Sequence, residues 1–349
     1  MPTLRRLPAE WEPQSGVMVT WPHAGTDWVR LLADVESVYD QIAAAVTARE
    51  RLVVACHDAR VATGVAARLA GLGLDMARVV IGIAPSDDTW ARDHGPIAVE
   101  TPEGVELLDF GFNGWGGKFA AERDDDIPSC LAHSGAFGTT PCRRIPFVLE
   151  GGAIETDGQG TLLATRHSVI TATRNPGLGE TQVEELLRHE LGLARFLWLD
   201  QGALSGDDTD GHVDTLARFA DPRTVLYATT TPNDPDHEGL EAMRAELAHL
   251  RTADGEPYRL VALPAPGLHY EADRRLPATY ANFLVVNGAV LLPVYGVRND
   301  GVAMRVVGEC FPGREVVPID CRALIRQNGS LHCATMQLPA RVDLRQPGL

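Results

Sequence analysis

Three side chains in the second half of the 349-residue sequence have the types needed to activate a thiol: His212, Asp214 and Cys333. On an extended segment, the two-residue spacing of His212 and Asp214 turns both side chains to one face. Cys333 follows a glycine-containing turn and precedes Ala334-Thr335, which predicts that it lies where a loop enters a strand. Because a free thiol has a pKa of ~8.5, it forms little thiolate near neutral pH without a neighbouring base. The three residues together favour nucleophilic catalysis by cysteine.

Further polar clusters lie beside glycines and prolines, in the kind of loop that holds functional side chains at strand ends. They are Asp87–Pro96, Phe112–Lys118 with the acidic stretch Asp124–Asp126, Leu149–Gly152, Gly206–Asp214 and Asn328–Cys333. Taken singly, each is equally typical of a structural turn, because Asp and Gly favour turns for backbone reasons. The segment around Gly211 does not fit a calcium loop, since Gly206 and Ala217 stand where the two anchoring carboxylates would be.

The charge of the chain indicates the class of partner. A net charge of −16 repels nucleic acid and anionic membranes and concentrates cations near the protein. The composition, with 45% hydrophobic and 22% charged residues, is that of a globular chain long enough to bury a large core. We therefore expect a small cationic partner, and neither nucleic acid nor a membrane.

The sequence also bears on location. No apolar run approaches the ~18 residues that would span a bilayer. The segment Met1–Glu12 lacks the apolar core of a signal peptide, so we expect a cytoplasmic protein. The six cysteines show no CxxC pair and no metal-ligand spacing, and we expect them to be mostly reduced.

Short β-rich stretches alternate with helical patterns, which predicts a mixed α/β fold. The β-rich stretches are Leu52–His57, Val79–Ala84, Val105–Phe112 and Arg259–Leu263. The helical patterns are Trp28–Arg49, Arg60–Leu69, Gln182–Leu191 and Glu238–Leu250. The segment Tyr280–Gly296 predicts a hairpin with Asn287-Gly288 in a type I′ turn, so antiparallel strands are also present. No linker divides the chain, and one continuous domain is the simplest account.

Five sequence elements, taken in order, closely resemble the agmatine deiminase family and its bacterial-type peptidyl-arginine deiminase relatives. The elements are WxRDxGP at Trp90–Pro96, LEGG at Leu149–Gly152, RNP at Arg174–Pro176, GDDTDGHVDT at Gly206–Thr215 and HC at His332-Cys333. The resemblance extends from Glu10–Gln14 to Pro339, which is nearly the whole chain. Five matches in order and at similar spacing are far more specific than any one of them.

The resemblance implies both a fold and a set of catalytic residues. The fold would be a pentein-like, pseudo-symmetric five-bladed α/β propeller of ββαβ units around a central active site, in one catalytic domain over residues 1–349. Catalysis would need neither metal nor cofactor. By position, the resemblance makes Cys333 the nucleophile, His212 the general acid and base, Glu150 a carboxylate beside His212, and Asp93 and Asp214 the carboxylates that grip a guanidinium group.

The chemistry of a guanidinium group agrees with these roles. It is a planar fork of N–H donors that stays charged, so carboxylates that meet its edge form strong paired hydrogen bonds. A thiolate can then attack the central carbon from the face, and loss of ammonia leaves a covalent thiouronium that water hydrolyses to a ureido product. Trp90 and Trp115 could line the methylene chain of the substrate or pack in the core.

The substrate tail separates three candidates: agmatine, free arginine and peptidyl-arginine. The acidic charge favours the dication agmatine, which would give N-carbamoylputrescine and ammonia in a putrescine pathway. Ser330 stands where agmatine deiminases often carry an amide, and this departure bears on recognition of the tail while the five proposed catalytic positions are unchanged. Relatives in the family assemble as dimers or larger, and we expect a homo-oligomer by that analogy.

Two other classes of function stay open. One is a metal-dependent amidohydrolase with His212, Asp214, Glu150 and His332 as ligands, although the sequence shows no HxxxH pair or similar ligand spacing. The other is a non-catalytic guanidine-binding protein, which would need the carboxylates but no nucleophile. The position of His332 beside Cys333 does not establish a role for it.

Overall fold

A computed structural model describes residues 5–347 of the chain, which form two compact units. The Cys333 unit contains Glu12–Gly151 and the residues from Cys333 onward. The His212 unit contains the residues up to Trp11 together with Gly152–His332. The single domain expected over residues 1–349 stays a prediction, and the first four residues of the segment Met1–Glu12 lie outside the described part.

The Cys333 unit contains two mixed sheets. The first consists, in spatial order, of β18 (Thr335–Pro339), β1 (Gln14–Thr20), β2 (Arg51–Cys56) and β3 (Val79–Ile83). In it, β18 is antiparallel to β1, and the pairs β1–β2 and β2–β3 are parallel. The second sheet consists of β4 (Ile97–Thr101), β5 (Gly104–Gly111) and β6 (Cys142–Val148), with β4 antiparallel and β6 parallel to β5.

Four helices and one short turn accompany these strands among the described residues of the Cys333 unit. The helices are α1 (Leu32–Thr47), α2 (Ala59–Gly71), α3 (Ala91–His94) and α5 (Ile127–Ser134), and the turn α4 (Gly114–Gly117) contains two residues in the left-handed conformation. The connections β1–β2, β2–β3 and β5–β6 run through α1, α2 and α5, as parallel neighbours require a crossover. The helix expected over Trp28–Arg49 is interrupted, because a 3-10 turn at Asp27–Arg30 precedes α1. In that turn, the Trp28 indole donates to Asp88 and Thr89, which fixes the turn apart from α1.

The His212 unit contains three mixed sheets and one separate hairpin. The mixed sheets are β7 (Ile154–Thr156), β8 (Thr161–Thr165) and β9 (Arg195–Leu199); β10 (Ala217–Asp221), β11 (Thr224–Tyr227) and β12 (Arg259–Ala262); and β15 (Leu284–Val286), β16 (Ala289–Val294) and β17 (Glu315–Asp320). The hairpin is β13 (His269–Glu271) with β14 (Arg274–Leu276). The helices are α6 (Arg166–Val169), α7 (Glu180–Leu191), α8 (His237–His249) and α9 (Asp300–Cys310).

Five of the six sheets in residues 5–347 share one pattern: an antiparallel pair is joined by a parallel strand that follows a helix. The mixed α/β prediction is therefore confirmed. Within the same residues, each sheet is open and none closes on itself. The described residues contain no helix with the length and apolar character needed to cross a bilayer.

The hairpin predicted in Tyr280–Gly296 is confirmed, because β15 and β16 pair up to Val286 and Ala289 around Asn287-Gly288. The predicted type I′ turn is wrong. That turn needs a positive φ at both central residues, but only Gly288 has one, with φ 74°. Gly288 takes the left-handed conformation at little cost, and a single positive φ at the second central position does not make a type I′ turn.

Candidate active site

Cys333 lies two residues before β18, as the sequence predicts, and its side chain is buried at 5% exposure. Its carbonyl accepts a hydrogen bond from the Arg92 backbone N–H at 3.1 Å. This bond fixes the backbone of Cys333 against α3, the short helix that carries Asp93.

Asp93 is buried and accepts a hydrogen bond from the indole Nε1 of Trp115, with 2.9 Å between the atoms. Trp115 has φ 56°, a left-handed conformation that is rare for a bulky residue and costs about 1–3 kcal/mol. The residue before Trp115 must be a glycine, because a Cβ at Gly114 would lie 2.2 Å from the carbonyl oxygen of Phe119. The strained loop thus delivers a hydrogen-bond donor to one of the predicted guanidinium-binding carboxylates.

Trp90 is also buried, and its indole donates to Asp88 Oδ2 at 3.0 Å. The indole of Trp28 donates to the other oxygen of the same carboxylate, also at 3.0 Å. Burial raises the pKa of Asp88 to about 6, although these hydrogen bonds oppose the shift. The contact of Trp90 and Trp115 with a substrate chain stays a prediction, but both indole N–H groups are already bonded to carboxylates.

Glu150 is fully buried and directly follows β6 and Leu149. The next residue, Gly151, packs so closely on α3 that a Cβ would lie 2.3 Å from the carbonyl oxygen of Arg92. The LEGG turn therefore needs a glycine at this position for a steric reason. Within the Cys333 unit, α3 brings the backbones of Cys333, Asp93 and the Glu150-Gly151 turn to one place.

The sequence leaves the role of the acidic stretch Asp124–Asp126 open. In the structure, this stretch accepts backbone hydrogen bonds from the Asp87–Pro96 and Phe112–Lys118 loops. Asp124 accepts the backbone N–H groups of Asp87 and Asp88 at 2.7 Å and 3.1 Å. Asp125 accepts the N–H of Phe112 at 2.6 Å and also pairs with Arg144. Burial raises the pKa of Asp124 to about 8 in spite of its hydrogen bonds.

In the His212 unit, the loop before His212 is ordered by its own polar side chains. Asp207 accepts hydrogen bonds from the hydroxyl of Thr209 at 2.6 Å and from the N–H of Gly211 at 2.7 Å. The hydroxyl of Thr209 in turn accepts the N–H of His212 at 3.1 Å. These bonds form a sharp turn in which Asp210 has φ 68°, and they set the backbone of the predicted general base.

Arg174 of the RNP element holds the same loop from outside. Its guanidinium is almost fully buried and donates to Asp210 Oδ2 at 2.8 Å and to the carbonyl of Thr209 at 2.9 Å. The hydroxyl of Thr165, at the end of β8, donates to the carbonyl of Gly211 at 2.7 Å. The RNP motif was recognisable in the sequence only by resemblance, and its contacts give it a physical role.

His212 and Asp214 do not lie on one extended segment, the condition under which their spacing would turn both side chains to one face. His212 has φ −52° and ψ 134°, and a 3-10 turn over Val213–Thr215 follows at once. The hydroxyl of Thr215 donates to the carbonyl of His212 at 2.8 Å and stabilises the turn. Both side chains are buried. His212 caps the turn and Asp214 lies within it, so the alternation of side chains along a strand does not apply to them.

Asp214 is 0% exposed, and its Oδ2 accepts hydrogen bonds from Asn282 Nδ2 at 3.2 Å and from His332 Nδ1 at 2.7 Å. Burial acts to raise the pKa of this carboxyl, but the hydrogen bond and the charge of His332 outweigh it, so the pKa is lowered. Asp214 is therefore a buried anion. Sequence reasoning did not identify Asn282, because a single amide beside a hairpin carries no pattern.

The second nitrogen of His332 also contacts a carboxylate, Glu10 Oε2, at 2.8 Å. Both ring nitrogens are thus engaged by acidic side chains. In the described part of the chain, no cluster of three or more His, Cys, Asp or Glu side chains has the geometry of a metal site. His332, one of the four ligands considered for a metal-dependent amidohydrolase, has no ring nitrogen left for a metal while these contacts persist.

The predicted site residues thus include a buried cysteine and two buried aspartates, in a chain with a mixed α/β fold. The fold is similar to that of an amidinotransferase from Microseira wollei, with a TM-score of 0.52 and 11% identity over 100% of this chain and 98% of that one. Residues 6–339 match the family of Porphyromonas-type peptidyl-arginine deiminases. The chain belongs to this family.

The relatives include both agmatine and arginine deiminases by name. The agmatine deiminase of Stutzerimonas stutzeri is 34% identical, with 96% of this chain and 95% of that protein covered. A structure of C. jejuni agmatine deiminase with substrate bound has 31% identity and a TM-score of 0.88, with 98% and 97% of the two chains covered. A structure from Porphyromonas gingivalis, described as a "Putative Arginine Deiminase", has 47% identity and a TM-score of 0.90, with 98% and 100% covered.

Proposed function

We propose that this protein hydrolyses agmatine to N-carbamoylputrescine and ammonia, with Cys333 as the covalent nucleophile. The observation that carries the proposal is the similarity, over 96% of this chain, to a protein named agmatine deiminase. Two features of the chain support it. Asp214 is a buried anion suited to a cation, and Cys333 is a buried thiol beside the helix that carries Asp93.

In the proposed reaction, Asp93 and Asp214 bind the edges of the guanidinium group. The Cys333 thiolate attacks the central carbon, and a carbon–sulfur bond forms as the carbon becomes tetrahedral. His212 gives a proton to the departing nitrogen, the carbon–nitrogen bond breaks, and ammonia leaves a thiouronium. Water then loses a proton to His212 and attacks the same carbon. The carbon–sulfur bond breaks, so the products are the ureido compound and the free thiolate.

Glu150 has a supporting role in this proposal. We assign it to hold the ring of His212 and to stabilise the ring when it carries a proton, as carboxylates do for other catalytic imidazoles. Glu150 is fully buried, and such a site makes the interaction of a charge with a nearby ring stronger than in water.

The proposal extends to the whole molecule. The shared strand pattern of five sheets supports a pentein-like five-bladed propeller, in which each ββαβ sheet is one blade. We also propose a single catalytic domain over residues 1–349, a homo-oligomeric assembly, a cytoplasmic location, a place in putrescine formation, and catalysis without a metal or cofactor.

Free or peptidyl arginine is the second candidate substrate. The 47% identity to a structure described as a "Putative Arginine Deiminase" favours a substrate with the tail of arginine, since this identity exceeds the 34% identity to an agmatine deiminase. The net charge of −16 favours agmatine, because a second cationic group would gain more from the acidic protein than a carboxylate.

The test is to incubate wild-type protein and Cys333→Ser separately with agmatine, arginine and an arginine peptide, and to identify the products by mass spectrometry. We expect a gain of about one mass unit in agmatine, as nitrogen is replaced by oxygen, together with ammonia from the wild type alone. Turnover of arginine or peptide without agmatine would refute the choice of substrate. Covalent labelling of Cys333 by a haloacetamidine separates an enzyme from a protein that merely binds guanidines, and full activity after chelation separates it from a metal-dependent enzyme.

A further inference from the structure

His332 is placed between two carboxylates in the interior of the His212 unit. Its Nδ1 lies 2.7 Å from Asp214 Oδ2, its Nε2 lies 2.8 Å from Glu10 Oε2, and its side chain is 1% exposed. The ring therefore links Asp214 to Glu10 through both of its nitrogens.

Glu10 is held in turn by a buried arginine. Arg218 donates to Glu10 Oε2 at 2.9 Å and to Glu155 Oε2 at 2.8 Å, and its guanidinium lies 4.6 Å from the centre of the Phe283 ring. Burial acts to lower the pKa of Arg218, but the two glutamates outweigh it and raise the pKa. These side chains thus form one chain of contacts, from Asp214 through His332, Glu10 and Arg218 to Glu155.

Of the residues in this chain of contacts, Asp214 is the one predicted to bind a guanidinium group. Asp214 stands at one end of the chain, and the electrostatic influence of His212 on it, besides that of His332, places it near the predicted base.

We propose that His332 is a positioning residue that fixes the orientation and the charge of the Asp214 carboxylate for a guanidinium substrate, with Glu10 as its anchor. The proposal rests on the proposed function and deepens it, since it gives roles to the histidine before Cys333 and to the first residue of the Glu10–Gln14 segment. His332 acts through Asp214, and neither His332 nor Glu10 touches the reacting atoms in this account.

The fold supplies a matched control. Glu10 and Glu155 are both buried, and each accepts one hydrogen bond from Arg218. Each also accepts one backbone N–H, from Val285 at 2.7 Å and from Phe219 at 3.0 Å respectively. The difference relevant here is that Glu10 also contacts His332. A purely structural cluster would respond alike to the loss of either charge.

The experiment compares Glu10→Gln with Glu155→Gln in the full-length protein. We measure kcat and KM for agmatine by ammonia release, and the dissociation constant for agmatine in a Cys333→Ser background. We expect similar losses of thermal stability. We also expect Glu10→Gln to raise KM and the dissociation constant about tenfold, while Glu155→Gln stays within about twofold of the parent, because only the former weakens a charged hydrogen bond to Asp214 through the ring.

Equal changes of KM in the two variants, with an active wild type, would overturn the role of His332 and leave the proposed function intact. No ammonia from agmatine with the wild type would defeat the proposed function, and this inference with it. If Glu10→Gln does not fold, His332→Asn and His332→Ala replace it. The asparagine can still donate to Asp214 and is expected to keep KM closer to wild type, and equal KM values for the two would contradict the proposal.

A second measurement is independent of turnover. The dissociation constant for agmatine in the Cys333→Ser background serves this purpose, and an unchanged value in Glu10→Gln would contradict the role of His332.

Discussion

Asp93 and Trp115 form the most direct contact between a proposed substrate-binding carboxylate and a residue that locks it. The indole N–H lies 2.9 Å from Asp93 Oδ2, and the loop adopts φ 56° at Trp115 to place it there. Backbone strain of this kind persists where the surrounding structure maintains it for a function. We therefore interpret Trp115 chiefly as a positioning residue for Asp93.

Trp115→Phe tests this interpretation, because it removes the indole N–H and keeps an aromatic ring against Phe112 and Phe119. We expect KM for agmatine to rise about tenfold with a smaller change in kcat, since a hydrogen bond to a charged group contributes about 1.5–3 kcal/mol. Trp198→Phe is the matched control. Its indole donates to Glu184 at 2.9 Å, far from this loop in the sequence, and activity should not change. Equal KM values for both variants would count against the role of Trp115.

Asp124 gives a prediction for the dependence of stability on pH. Its pKa is about 8 in the folded protein against an ordinary value of 3.8, so between these values the folded state keeps a proton that the unfolded state releases. The contribution of this group to the free energy of unfolding must then fall as pH rises from about 4 to about 8. Asp124→Asn, measured by urea unfolding across this range, should show a weaker decline with pH than wild type. The exposed neighbour Asp126, changed to Asn, should not alter the slope, and a wild-type slope in Asp124→Asn would contradict the assignment.

At the scale of elements, α3 and the LEGG turn show how a glycine supports a site. A Cβ at Gly151 would lie 2.3 Å from the Arg92 carbonyl oxygen, and backbone cannot move aside as a flexible side chain can. We expect Gly151→Ala to displace α3, to lower the free energy of unfolding by about 2 kcal/mol or more, and to abolish most activity.

Gly64→Ala is the control for the glycine prediction. Gly64 lies within α2, and nothing stands within 4 Å of its missing Cβ. The change should therefore stabilise the protein by about 0.5–1 kcal/mol and leave activity unchanged. Urea unfolding and ammonia release measure both variants, and a Gly151→Ala variant with wild-type activity would show that α3 tolerates the displacement.

The sequence predicted the elements better than their junctions. Hydrophobic periodicity identified α2, α7 and the β15–β16 hairpin, because these depend on local patterns. Local patterns did not indicate the 3-10 turn after His212 or the backbone angles of Asn287. A few hydrogen bonds decide the first conformation, and a single φ angle decides the second. The catalytic candidates came from matched motifs. Glu10, Asp88 and Asn282 had no assigned role, since their function depends on partners distant in the sequence.

For the whole molecule, the net charge of −16 makes a prediction about salt. If the acidic protein attracts a dicationic substrate over a distance, added salt should weaken that attraction, as the screening length falls from ~10 Å at 0.1 M to ~3 Å at 1 M. We expect KM for agmatine to rise about two- to threefold over this range while kcat stays constant. Steady-state kinetics in sodium chloride measures it, and a KM independent of salt would show that the field of the protein does not contribute.

The division into two units was not foreseen from the sequence, because each unit combines segments that lie far apart in the chain. Composition and linkers reveal domains only when the domains follow one another. The repeated strand pattern was likewise hidden, since the five sheets share an antiparallel pair with an added parallel strand but no visible residue identity.

The pairing of β1 with β18 has a consequence for biosynthesis. β1 ends at Thr20 and its antiparallel partner begins at Thr335, so this edge of the sheet remains open until the ribosome has made almost the entire chain. An uncovered strand edge is a site for wrong pairing with other chains. Nascent chains that stop short of residue 335 should therefore depend on chaperones, and synthesis of β18, which follows Cys333 closely, supplies the missing strand of the sheet.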